Sequence, residues 1–169
     1  SSIAAGTYQA LTKDQEAEVS WEDYEKWLQQ KWLDAADKGG LAEGIVRAMM
    51  AMARIGRVIG RKHYTVAEEI AKTHKTLQKI RPAVFRRMVK EQYCILEADE
   101  DRALAALATL IPGEHDRDEA LALARRIALV DGAYTPEEKA MLDKIARGLG
   151  IENGEGAKKP LKIAGEARM

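Results

Sequence analysis

From Ser20 to Ile151 the apolar residues recur at three- and four-residue intervals, and no β-branched run alternates with polar residues. That spacing places side chains on one face of a helix; a half-buried strand needs a period of two. Ala, Leu, Glu, Lys, Arg and Met dominate the chain, and all are good helix formers. The pattern predicts an all-α fold, a single bundle of about seven helices joined by short connectors.

Helix starts and stops are written in local chemistry. Ser20 followed by Asp23 resembles a capping box and opens a helix carrying Trp21, Tyr24, Leu28 and Trp32, which Gly39-Gly40 ends. The next helix runs from Leu41 to about Arg57, with Ile45, Met49 and Met52 on one face. After Gly56, Ile59, His63, Val66, Ile70, Leu77 and Ile80 continue at helical spacing, although Thr65 with Glu68 offers a competing start. Pro82 suits a first turn, Asp99 an N-cap for Asp101 to Ile111, and Pro112-Gly113 a stop. Asp116 with Glu119 predicts a cap for a helix through Val130. Thr135, Pro136 and Glu138 form a capping box for a helix ending at Gly148 and Gly150. Residues 1–19 read as a loose N-terminal arm, 20–151 as the helical domain and 152–169 as a mobile C-terminal tail.

Composition removes several function classes. Serine occurs only at Ser1, Ser2 and Ser20, so there is no G-x-S-x-G elbow. Neither G-x-x-x-x-G-K-[ST] nor G-x-G-x-x-G is present. His63, His74 and His115 form no H-E-x-x-H or E-x-x-H pair, which argues against a pre-built zinc-hydrolase or di-iron site. A lone Cys94 cannot make an internal disulfide, and a reducing, cytoplasmic compartment is expected. The longest uncharged apolar run, Ala103 to Ile111, is far short of the roughly 20 residues that cross a bilayer. No charged-then-apolar leader opens the chain, so no signal peptide is expected; a start at Ser1 rather than Met suggests trimming from something longer.

Basic and acidic residues balance at 27 each, yet unevenly along the chain. Residues 1–40 carry net −4, residues 41–94 net +8 and residues 95–169 net −4. The asymmetry fits complementarity between packed helices or a basic docking face. Arg47, Arg54 and Arg61 recur every seven residues and, with Arg57, Lys62, Arg86, Arg87 and Lys90, offer a stripe for an acidic partner. Few aromatics interleave this stripe, so nucleic acid is not an expected partner. Trp21 and Trp32 fall near one face and are expected to bury against the bundle, while exposure there would mark a docking or homodimer surface. Cys94 reads as a structural thiol, His63 as a core histidine, and His74 and His115 as surface residues.

The most specific stretch is Ile127 to Ile151, IALVDGAYTPEEKAMLDKIARGLGI. Its Val130-Asp131-Gly132-Ala133-Tyr134-Thr135-Pro136-Glu137-Glu138 resembles the A-D-G-x-x-[ST]-x-E-E motif of the TerB-like domain, named after a bacterial tellurite-resistance protein. The resemblance implies an all-helical fold of two similar halves. A shift of 76 residues sets Gly132 on Gly56, Leu142 on Val66 and Ala146 on Ile70, but Asp131 on Ile55, Thr135 on Ile59 and Glu138 on Lys62. The first half thus keeps the glycine and the apolar spacing and has lost the acidic and capping residues.

A second resemblance covers Leu41 to Ile151. Met88 to Leu107, MVKEQYCILEADEDRALAAL, followed by Pro112 and the acidic loop, is similar to the C-terminal helical region of bacterial α/β-hydrolase-like, polyhydroxyalkanoate synthase-related proteins. It implies a non-catalytic appendage of a larger protein, with a protein partner or the rest of that chain as its contact. The competing expectation is a metal- or oxyanion-responsive stress protein. Asp131, Glu137 and Glu138 would then offer hard oxygen ligands to Ca²⁺ or Mg²⁺. The same residues also serve a turn and a capping box without any metal.

Overall fold

The computed structural model describes residues 20–55 and 59–151. The arm, the tail, Gly56 and Arg57 lie outside the described residues. Helix α1 spans Trp21–Ala35, α2 Leu41–Ala53, α3 Arg61–Thr73, α4 Pro82–Ala98, α5 Glu100–Ala105, α6 Leu107–Leu110, α7 Glu114–Ala128 and α8 Pro136–Gly148. Short 3₁₀ turns at Leu77–Lys79 and Leu129–Asp131 complete the set, and no strand occurs among the described residues. With α5 and α6 taken as one broken helix, this is the expected all-α bundle of seven.

Helix α2 is the axis of the fold. Every residue from Gly44 to Ala53 is buried, because the segment GIVRAMMAMA is apolar on all sides apart from Arg47. It packs most extensively on α7 and next on α4. Small residues permit the approach. A Cβ on Gly44 would stand 2.6 Å from Ile111 Cγ1. A Cβ on Gly148 would run into the Leu104 carbonyl oxygen, so α8 and α5 touch backbone to backbone there.

A 76-residue shift brings two pairs of helices into near register. It carries α8 onto residues 60–72, one residue from α3, and α7 onto residues 38–52, overlapping α2. The contacts cross over: α2 meets α7 at the centre, α8 packs on α2, and α3 packs on α7. Leu142 and Ala146 are buried, as are Ile70 and, partly, Val66, the positions onto which the offset carries them.

Several local expectations hold. Ser20 Oγ accepts from the Asp23 N–H at 3.0 Å, and Asp99 Oδ1 accepts from the Arg102 N–H at 3.0 Å. Pro82 occupies the first turn of α4. Others are corrected by packing. Helix α3 stops at Thr73 rather than running to Ile80, because His74 turns extended and its Nδ1 accepts the Thr76 N–H. Helix α7 starts at Glu114, with Gly113 as N-cap, so Glu114 and Asp116 sit in the first turn facing the helix dipole. Glu119 turns instead to His74. The helix expected over Asp101 to Ile111 breaks at Ala106, since Ala103, Leu104, Leu107, Leu110 and Ile111 must all be buried.

Candidate functional site

Sequence points first to the Asp131 loop. Gly132 adopts φ +108°, a region that side chains other than glycine rarely enter, and this reverses the chain between α7 and α8. The Thr135 N–H donates to Glu138 Oε1 at 2.9 Å, and the Glu138 N–H donates to Thr135 Oγ1 at 3.1 Å. The box anticipated from sequence is therefore complete, and Glu138 is committed to it. Glu137 is exposed in the first turn of α8, where its charge suits the helix N-terminus. Asp131, more than half exposed, lies 3.9 Å from Lys62 Nζ and 3.7 Å from His63 Nε2 of α3. The loop's acidic side thus faces two basic residues of the opposite half. Among the described residues no group of three or more His, Cys, Asp or Glu side chains is placed to hold a metal ion.

The arginine stripe is not one surface. Arg47 is fully buried: Nε donates to Gln92 Oε1 at 2.8 Å, and Nη1 donates to the carbonyls of Ala36 at 2.8 Å and Ala103 at 2.9 Å. Ala36 ends α1, and Ala103 lies just before the break after α5, so the guanidinium meets carbonyls at two helix C-termini, where the partial charge is negative. Burial lowers its pKa to about 10, opposed by the fields of Asp37 and Glu43, and it stays cationic at neutral pH. Arg54 pairs instead with Glu97 and Glu100, both at 2.7 Å. Glu100 also takes Lys144, which reaches Asp101 at 3.1 Å. Arg102 meets Asp37 at 2.8 Å. Within the positive middle segment Arg54 is thus neutralised by carboxylates, and Arg47 is held by neutral acceptors. The remainder of the stripe, Arg86, Arg87 and Lys90 of α4 and Arg61 and Lys62 of α3, is exposed.

The remaining chemistry-bearing side chains scatter. His74 is buried, contrary to its surface expectation. Its Nδ1 accepts the Thr76 N–H, so Nε2 carries the proton toward Glu119 at 3.1 Å, locking the end of α3 to α7. His63 lies at the edge of the core, with Nδ1 buried and unpartnered. Cys94 borders a groove of about 330 Å³ between α1 and α4, with Leu28, Trp32 and Tyr93. Burial raises its thiol pKa and outweighs Lys90 and Lys31, which disfavours the thiolate.

The helix predicted after Ser20 forms, but Trp21 is not buried against the bundle as expected. No residue of α1 is fully buried. Trp21 is 71% exposed, Tyr24 45% and Trp27 43%. Their rings form a ladder, with centroids 5.4 Å apart for Trp21 and Tyr24 and 5.9 Å for Tyr24 and Trp27. Of the α1 aromatic rings Trp32 reaches the core, and Lys31 lies over its ring and over that of Trp27. Helix α1 packs on α4, with Gln29 Nε2 donating to the Ala98 carbonyl at 3.1 Å, where α4 ends. Trp21 stands about 12 Å further along the axis at 1.5 Å per residue, beyond the helix that would have covered it.

Comparison with known proteins adds one relative. No family model matches the chain, and no solved structure matches it. It is 26% identical over 132 residues to a Rhizobium meliloti protein described as "Uncharacterized protein in ackA 5'region". The aligned region takes in 78% of this chain and 18% of that protein, so the chain spans under a fifth of the relative's length.

Proposed function

We propose that the chain is a non-catalytic, TerB-like helical interaction module, an appendage of a larger bacterial protein of the polyhydroxyalkanoate synthase-related kind. The observation that carries this reading is the exposed aromatic ladder of α1. Contiguous exposed aromatics mark contact surfaces. Glu100, Glu138, His74 and Arg47 each hold an internal partner, which commits these four groups to the fold. The relative supports the appendage reading, because its match to this chain is a small part of a much longer protein.

The test is binding in trans. The matched segment of the longer relative is excised, and the remaining polypeptide is titrated calorimetrically with the segment and with this chain. Saturable binding is expected. No heat with either, at concentrations to about 200 µM, contradicts the appendage contact.

A further inference from the structure

We propose that the occupant of the α1 face is a second copy of this chain, so that the module joins two of the larger proteins that carry it. The inference rests on the interaction-module reading and names its partner. The argument is charge complementarity on one face of the molecule. The N-terminal half of α1 carries Trp21, Tyr24 and Trp27 beside Glu22 and Glu25, all exposed, with Glu25 at the rim of the groove shared with Glu97 and Ala98.

The complementary surface lies on α4. Helix α1 covers Tyr93, Cys94, Glu97 and Ala98 at the C-terminal end of α4. At 100° per residue, Arg86 and Lys90 continue that same strip toward the N-terminus, with Arg87 at its border. They are exposed, and none of the three has an ion pair among the described residues. Among the described residues, the Trp21 end of α1 is thus aromatic and anionic, and the Arg86–Lys90 end of the strip is cationic and without an ion-pair partner. Guanidinium and ammonium groups stack on aromatic faces and pair with carboxylates. A two-fold axis lets each copy lay its α1 end on its partner's Arg86–Lys90 surface, satisfying both ends twice through one self-complementary contact.

Sedimentation velocity on the full chain, from about 1 to about 300 µM, is the test. A monomer–dimer equilibrium is expected, weakened about tenfold or more between low and about 0.5 M salt. Trp21→Ala with Trp27→Ala should abolish it while leaving the helical circular dichroism unchanged, since both residues are exposed. A charge exchange excludes an unfolding artefact. Arg86→Glu/Arg87→Glu and Glu22→Lys/Glu25→Lys should each be monomeric alone and should form a heterodimer when mixed. A chain monomeric throughout the range, or a dimer indifferent to these changes, overturns the proposal. Binding of the relative's remaining polypeptide by such a monomer would leave the interaction-module reading standing and remove only the second copy.

Discussion

The Arg47 guanidinium donates to Gln92 Oε1 at 2.8 Å in the middle of the core, with no carboxylate at ion-pair distance among the described residues. Three neutral acceptors and two helix C-termini hold the charge, tying α1, α2, α4 and α5 together. Gln92→Ala leaves a buried cationic donor unpaired and should cost about 2–3 kcal/mol. Arg47→Ala should cost about 3–5 kcal/mol, because it strips both carbonyls and opens a cavity. Urea unfolding of both variants and the double variant should give a coupling of about 1–3 kcal/mol. Additive losses would show that the bond is incidental.

Glu100 sets an acid limit on stability. Its burial alone would raise its pKa, but hydrogen bonds from Lys144 and Arg54 outweigh that and hold it below the ordinary 4.5. The unfolded chain then binds the proton more tightly than the folded one. The contribution is whole above about pH 4.5 and is lost as pH falls through the folded pKa. Glu100→Gln should cost about 1–2 kcal/mol at pH 7, discounted for partial exposure, with the gap from wild type closing toward pH 3. A pH-independent gap in denaturant melts would contradict this.

Two glycines separate strain from space. Gly132 has φ +108° and nothing within 4 Å of a would-be Cβ, so Gly132→Ala should cost about 1–3 kcal/mol through backbone strain alone. Gly148 is helical, but its Cβ would meet the Leu104 carbonyl, so Gly148→Ala should cost as much or more by forcing α8 from α5. Leu104→Ala beside it would not relieve the second, because the obstacle is backbone. Thermal melts of the three variants decide the matter.

The Asp131 loop is accounted for by its turn, cap and cross-half pairing. Adding Ca²⁺ or Mg²⁺ to millimolar levels should therefore leave the melting temperature unchanged, and Asp131→Asn should alter stability by under about 1 kcal/mol. Thr135→Ala should cost about 1 kcal/mol, because it removes the cap. Metal-dependent stabilisation that Asp131→Asn abolishes would restore the cation reading.

What the sequence reveals follows the range of the forces involved. Ser20, Asp99, Pro82 and Thr135 act within three residues of themselves, and each marks its helix as read. The near register of α7–α8 with α2–α3 under a 76-residue shift follows apolar spacing that both stretches share. The role of Arg47 was not legible. A seven-residue recurrence says that Arg47 and Arg54 share a helix face, but α2 is covered on every face, and only the fold decides that one meets carbonyls and the other carboxylates. His74 and the break at Ala106 were hidden for the same reason. Of the candidate site, the shape of the bend was written in Asp131-Gly132 and Thr135-Pro136-Glu137-Glu138, whereas the unpartnered ladder of α1 depended on where α4 ends.

The most direct measurement is an amide ¹⁵N–¹H spectrum of the chain recorded across the concentration range of the sedimentation experiment. The account predicts concentration-dependent shifts gathered on α1 from Trp21 to Lys31 and on Arg86, Arg87 and Lys90 of α4, with Asp131 to Glu138 unmoved. Shifts centred on the Asp131 loop, or a spectrum that does not change with concentration, would contradict it.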